Sequence, residues 1–151
     1  MITSSEQPLV AETLARMDEG WSAFHRRVHA LPGQLLEQRL GQGSWTRKQM
    51  LAHIATWHER TVEALGWLTD TGALPGASEE TDVINARAAR AAVGRTAGEI
   101  LFALDDSYRH AHRAVARLTD EQLSSHDGWA LVMIAGNTYD HYAEHLADLG
   151  G

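Results

Sequence analysis

Apolar residues recur every three or four positions along four long segments of this chain, the period of an α-helix with one buried face. The predicted helices span residues 6–30, 46–69, 96–118 and 129–149. The inward rows of the first three are Leu14, Met17, Trp21, Phe24, Val28 and Leu31, then Met50, His53, Ile54, Trp57, Thr61, Leu65 and Leu68, then Ile100, Leu104, Ala111, Val115 and Leu118. No stretch keeps the period of two that a half-buried strand requires, so an all-α helix bundle is predicted.

Side chains at the helix starts can satisfy the free backbone amides of a first turn. Capping boxes of the form S/T-x-x-E/Q are predicted at Thr46–Gln49 and Thr96–Glu99. Asp127 is the predicted cap of the last helix, and Gly150–Gly151 is its predicted stop.

Shorter elements lie between the long helices. The loop TDTGALPGASEE precedes a short helix predicted from Thr81 to Ala92, and residues 119–123 are predicted to form one helical turn. The sequence contains no internal repeat or low-complexity tract. With 151 residues, the chain is expected to be one domain, residues 1–151, with one core.

Composition narrows the classes of function. The net charge is −7 and the arginines are scattered, so nucleic acid is not an expected partner. No signal peptide or membrane span is evident, and a cytoplasmic location without membrane binding is expected. The chain has no cysteine, which excludes disulfides, thiolate ligands and a cysteine nucleophile, but it has nine histidines.

Two HxxxH pairs, His25/His29 and His141/His145, have the spacing that places two imidazoles on one side of a helix. The spacing alone is weak evidence, because nine histidines at random would give roughly half of one such pair. His25 and His29 each follow an apolar position by one residue. They are expected at the rim of the buried row, as solvated surface side chains.

His141 and His145 instead continue an inward row, Ile134, Thr138, His141, His145 and then Asp148 or Leu149. His53 lies on the inward row of the second helix, so three imidazoles from two helices can converge on one metal ion. The alternative, that His53 is a core histidine bonded to a carbonyl or water and the pair is partly exposed, stays open at this point. Four other histidines are interpreted as surface residues: His58, His110, His112 and His126.

The segments GSWTRKQMLAHIATWHER and NTYDHYAEHLADL, together with TDVINARAA at residues 81–89, resemble the DinB-like superfamily. This superfamily includes thiol-dependent S-transferases, mycothiol-dependent maleylpyruvate isomerases and ClbS/DfsB-type resistance proteins. The resemblance implies a four-helix bundle, often a homodimer, with a divalent metal held by His53, His141 and His145. The isomerase branch commonly has Glu at the position of His141 and a further C-terminal domain, and both differences weigh against that activity here.

The resemblance implies a metal ion, Zn or Ni, and a small-molecule substrate. The first hypothesis is a metal-dependent transferase that adds a low-molecular-weight thiol to small electrophiles, since a bound divalent ion can hold a thiolate. The second is a hydrolase or resistance protein of the ClbS/DfsB type. The third is a non-enzymatic bundle that binds metal weakly or structurally.

Trp57, Arg60 and Asn137 are the candidates for a substrate pocket. Trp57 lies one turn beyond His53 on the second helix. It either lines a pocket or packs in the core, and the core position is favoured. Arg60 either holds an anionic group or pairs on the surface with Glu59 or Glu63. Asn137 either orients a ligand histidine or meets the substrate.

The other polar residues of the last helix are assigned lesser roles. Asp140 and Glu144 point away from the histidines that follow them, and are expected in solvent or beside a neighbouring helix. Tyr139 and Tyr142 are expected to pack with their hydroxyls at the rim. Asp148, three residues beyond the last histidine, is expected to be exposed.

Overall fold

The computed structural model describes residues 6–41 and 44–149, and its regular elements there are helices. The α-helices are α1 (Pro8–His29), α2 (Arg47–Thr71), α3 (Thr81–Val93), α4 (Ala97–Ala116), α5 (Asp120–Asn137) and α6 (Tyr139–Leu146). Short 3-10 helices cover Gly33–Glu37 and Ala147–Leu149. The predicted all-α bundle, with a short helix before the third long one, is confirmed. None of the described helices has the length and hydropathy that a bilayer crossing requires.

The predicted starts of α2 and α4 are confirmed. Thr46 accepts a hydrogen bond from the backbone N–H of Gln49, whose side chain accepts one from the backbone N–H of Thr46. Thr96 and Glu99 form the same reciprocal pair. A third capping box, Thr119 with Gln122, begins α5, where the sequence predicted only one helical turn.

The buried rows face one core. Helix α2 packs against α3, α4 and α5, and α1 packs against α4, α5 and α6. The predicted inward positions Met17, Phe24, Val28, Met50, Ile54, Leu65, Leu68, Ile100, Leu104, Ala111, Val115 and Leu118 are all buried. Four predicted core residues, Leu14, Trp21, Leu31 and Trp57, are only half-buried.

The prediction of one continuous helix over residues 129–149 is wrong. Thr138, with φ −124° and ψ −104°, separates α5 from α6. Its buried hydroxyl donates to the Ile134 carbonyl at 2.6 Å, beside the bond from its own backbone N–H to the same oxygen at 2.9 Å. Asp127 is not an extended N-cap either, because it has φ 57° and lies in a non-helical stretch of α5 from Ser125 to Gly128. The predicted stop at Gly150–Gly151 lies outside the described residues.

Helix α6 approaches α1 closely at Gly20. A Cβ atom built on Gly20 would lie 2.8 Å from Tyr139 Cβ and 3.2 Å from Tyr139 Cα. Backbone atoms cannot yield as a flexible side chain can, so a side chain at position 20 must displace α6. The missing side chain at Gly20 therefore sets the position of the helix that carries His141 and His145.

We expect Gly20→Ala to lower the free energy of unfolding by about 1–3 kcal/mol, the usual cost of overpacking. Gly66→Ala is the matched control, because Gly66 lies in α2 with no neighbouring atom within 4 Å of a built Cβ. The control should be neutral or stabilising by up to about 1 kcal/mol, since alanine is the better helix former. Urea unfolding of the two variants measures the difference, and equal stability would contradict the close approach.

His58 is fully buried, which corrects the prediction of a surface residue. Its Nδ1 lies 2.8 Å from Ser107 Oγ and its Nε2 lies 2.6 Å from the Tyr142 hydroxyl. Because Ser107 donates its own proton to the Leu104 carbonyl, it accepts from Nδ1–H, and the Tyr142 hydroxyl then donates to Nε2. Burial, and secondly His141, lowers the pKa of His58 to about 3.

This pKa shift predicts a loss of stability in acid. The unfolded chain takes up a proton on His58 near pH 6.5, whereas the folded chain does so only near pH 3. The contribution of neutral His58 to the free energy of unfolding is therefore fully present above pH 6.5 and is lost as the pH falls towards 3. In metal-free protein, His58→Asn should flatten the dependence of unfolding free energy on pH by up to about 1.4 kcal/mol per pH unit. Equal slopes for the two proteins between pH 6 and pH 4 would contradict the burial of a neutral His58.

Candidate metal centre

Three histidine side chains from two helices meet inside the bundle. His53 lies on α2, and His141 and His145 lie one turn apart on α6. The Nε2 atoms of His53 and His141 are 2.9 Å apart. The ring centroid of His145 lies 5.5 Å from that of His53 and 4.8 Å from that of His141. One ring nitrogen from each residue lies within 4.8 Å of the other two, so the structure brings together the three ligands put forward from the sequence.

Two side chains outside this triad fix the direction of its rings. His53 Nδ1 lies 3.0 Å from Asn85 Oδ1, and His145 Nδ1 lies 2.8 Å from Asp148 Oδ2. Both oxygens are acceptors, so each Nδ1 carries the proton and each Nε2 is left with its lone pair. Metal-ligating histidines are commonly oriented by such a bond from the other ring nitrogen.

Burial keeps two of the imidazoles neutral. His53 and His141 are each 8% exposed. Burial first, and then the neighbouring histidines, lowers the pKa of His53 to about 4 and that of His141 to about 3. An interaction with Asn85 partly offsets the shift at His53, and one with the Asn137 backbone does so at His141. Both rings are therefore uncharged at pH 7, which is the form that binds metal.

The geometry of the triad fits a divalent ion. At the usual Zn–N distance of about 2.0–2.1 Å, two nitrogens 2.9 Å apart subtend an angle of about 90° at the ion. The buried Nδ1 of His141 has no hydrogen-bond partner of ordinary geometry within the described residues. His53 Nδ1 bonds to the side-chain amide oxygen of Asn85, and its Nε2 lies against the Nε2 of His141.

A cavity of about 540 Å³ lies between α2, α5 and the loop before α3. Trp57, Arg60 and Asn137 all line it. Other lining residues are Trp67, Trp129 and Met133, and we call this space the tryptophan cavity. Trp57 Nε1 donates at 2.8 Å to Asn85 Oδ1, the oxygen that also accepts from His53. One amide oxygen thus connects the cavity wall to the candidate metal centre.

The polar residues of the cavity have specific partners. Arg60 Nη2 donates to Ser78 Oγ at 2.6 Å, and the guanidinium lies 6.0 Å from the Trp57 ring centroid. Among the described residues Arg60 forms an ion pair with neither Glu59 nor Glu63, the two partners predicted for a surface position, and Glu59 pairs with His110 instead. Asn137 Nδ2 donates to Thr61 Oγ1 at 3.0 Å, so its side chain does not orient a histidine of the triad.

Other residues of the last segment are placed as follows. Asp140 and Glu144 are exposed, as expected. Tyr139 is half-buried with Arg16 over its ring, whereas Tyr142 is fully buried, contrary to the expected rim position of its hydroxyl. Asp148 is partly exposed, but its bond to His145 gives it a role that the sequence did not predict.

Asn85 is a functional residue that was not predicted from the sequence. The residue lies on the short helix α3, inside the TDVINARAA stretch, and only the packing of α3 on α2 brings it to His53. His58 was also missed, although its spacing of four from Ile54 and three from Thr61 continues the inward row of α2.

The family model described as the DinB superfamily matches residues 16–148. The chain belongs to the DinB superfamily. Searches among curated proteins and among solved structures give no match to this chain. DinB-like proteins often bind a divalent metal, and the buried histidine triad of this member can hold one.

Asn85→Ala should weaken Zn²⁺ binding about 10- to 100-fold, the usual effect of removing a residue that orients a metal ligand. The variant leaves the Nδ1 of His53 and the Nε1 of Trp57 without their shared acceptor. Asn85→Asp is the matched control, because it keeps an acceptor oxygen at the same place and should retain the affinity. Titration calorimetry measures both, and unchanged affinity in the alanine variant would contradict an orienting role.

Proposed function

We propose that this DinB-superfamily protein is a metal-dependent enzyme that transfers a low-molecular-weight thiol to small electrophiles. In this proposal His53, His141 and His145 hold a divalent ion, Zn²⁺ or Ni²⁺. The observation that carries it is the convergence of three imidazoles, two of them oriented through Nδ1 so that Nε2 faces the centre. Three protein ligands with an open fourth position are typical of catalytic zinc sites, whereas structural sites usually have four.

A divalent ion bound there would supply the positive charge that stabilises a thiolate at neutral pH. The residues of the chain would hold the ion and orient its ligands. Asn85 fixes the ring of His53, and Asp148 fixes the ring of His145. The chain contains no cysteine, so the nucleophilic sulfur has to arrive as a substrate. This absence supports a thiol co-substrate in preference to a cysteine of the protein.

The tryptophan cavity is the proposed site of the electrophile. Its indole rings and Met133 favour a flat, apolar molecule, while Arg60 and Asn137 can donate hydrogen bonds to an oxygen of that molecule. Glu63 and Glu79 also line the cavity, and Glu79 is paired with Arg87. We therefore propose a small, largely aromatic electrophile that carries a carbonyl, nitro or carboxylate oxygen.

The organisation of the chain as one domain over residues 1–151, its cytoplasmic location and its homodimeric state remain predictions. The dimer is implied by the family resemblance alone. Sedimentation velocity of the purified protein measures it directly.

The metal site is tested by the metal content of untagged protein. After exhaustive dialysis, which removes weakly held ions, the wild type and His126→Ala, which removes an exposed histidine, should each retain one Zn²⁺ or Ni²⁺ per chain. His141→Ala should fall to about a tenth of that content or less, since loss of a ligand costs at least as much as loss of an orienting partner. Equal trace metal in all three proteins would overturn the proposal.

The activity is tested by following the loss of free thiol with an aromatic electrophile, with metal-loaded and metal-free protein side by side. The proposal expects thiol loss only with the metal-loaded wild type, and a raised KM in Trp57→Ala. Turnover of the electrophile without thiol would instead indicate a hydrolase of the ClbS/DfsB type. Stoichiometric metal without either reaction would leave a non-enzymatic metal-binding bundle.

A further inference from the structure

A second cluster of potential metal ligands lies on another part of the bundle, where α1 packs against α4. His25 and His29 are one turn apart on α1, and their ring centroids are 4.1 Å apart. Asp105 of α4 faces both, with Oδ1 3.4 Å from His25 Nε2 and Oδ2 3.5 Å from His29 Nε2. The side chains of His25 and His29 are each 40% exposed, in accord with the predicted rim position, but the facing carboxylate could not be inferred from their spacing.

The distances in this cluster match a coordination shell better than a set of hydrogen bonds. Both nitrogen–oxygen distances exceed the usual range of an N–H···O bond, about 2.7–3.2 Å. In a tetrahedral site with ligand bonds of about 2.0–2.1 Å, neighbouring ligand atoms are about 3.4 Å apart. One ligand atom from each of the three residues lies within 4.8 Å of the other two.

Asp105 provides an independent observation. Its Oδ1 is buried and has no hydrogen-bond partner of ordinary geometry in the described part of the chain. A buried carboxylate oxygen without a partner is costly, and a cation between the two imidazoles and this carboxylate would satisfy it. One carboxylate and two imidazole ligands together carry a charge of −1, so the site with a divalent ion bound has a net charge of +1.

We propose that His25, His29 and Asp105 form a second divalent-metal site. Imidazole with carboxylate suits borderline ions such as Zn²⁺, Ni²⁺, Cu²⁺ or Fe²⁺ and not Mg²⁺ or Ca²⁺, which prefer oxygen ligands alone. The partial exposure of the side chains leaves the remaining coordination positions to water. An ion at this second site is bound more weakly than an ion at the triad, and it dissociates into solution more readily.

The second site shares no residue with the triad. An aromatic layer separates them: the Trp21 ring lies 5.4 Å from that of His25 and 5.5 Å from that of Tyr142, the neighbour of His141. The two sites therefore fill independently, and the proposal does not depend on the proposed activity.

Zn²⁺ titration by calorimetry of untagged, metal-stripped protein tests the second site. The wild type should bind two equivalents, and His53→Ala/His141→Ala should retain the weaker one. Adding His29→Ala to this double variant should weaken the retained equivalent at least about tenfold. Asp105→Asn in the wild-type background should lose the weakly bound equivalent and keep the tightly bound one. This variant keeps the test valid if circular dichroism shows that the triple variant is unfolded.

His110→Ala in the double variant is the matched control. His110 also pairs with two carboxylates, Glu59 at 2.8 Å and Asp106 at 3.6 Å, but contributes only one imidazole. Its removal should leave the retained equivalent intact. The second site is overturned if the wild type binds one equivalent only, if the double variant binds none, or if His29→Ala and Asp105→Asn leave the weaker equivalent unchanged.

Discussion

The amide oxygen of Asn85 is the interaction on which the candidate metal centre and the tryptophan cavity both depend. It accepts hydrogen bonds from His53 and Trp57, which lie one turn apart on α2, while Asn85 itself comes from α3. An indole N–H can only donate, so the amide cannot rotate without losing this bond, and its orientation in turn fixes the tautomer of His53. The packing of a short helix on α2 is therefore a condition for the geometry of both sites.

Two buried histidines show why burial alone does not identify a ligand. His58 and His141 both have a pKa lowered to about 3, with burial as the largest cause. The ring of His58 is saturated, because Ser107 accepts from one nitrogen and Tyr142 donates to the other. The ring of His141 meets His53 at Nε2, and its Nδ1 has no partner of ordinary hydrogen-bond geometry among the described atoms, only a weaker interaction with the Asn137 backbone. Hydrogen-bond saturation, and not the pKa, distinguishes a structural histidine from a candidate ligand.

Features that depend on local sequence were predictable here, and features that depend on tertiary packing were not. The capping box at Thr46 is a local device, and the apolar rows follow from periodicity, so the starts and inward faces of α2 and α4 were predicted correctly. The break at Thr138 comes two residues after Gly136, but a single glycine is tolerated inside a helix and did not predict it. Asn85 and Asp105 reach their histidines from other helices, where no spacing rule connects them.

The break at Thr138 also makes α6 a separate unit of local stability. A helix of eight residues is not stable alone in water, so α6 exists through its packing on α1 and α5. Such a unit can open at a lower free energy than the whole bundle, and its opening removes two of the three triad histidines at once. An ion that binds only the closed form raises the free energy of that opening in proportion to the logarithm of its concentration. The lifetime of a bound ion and the hydrogen exchange of the α6 amides are then governed by the same local opening of α6.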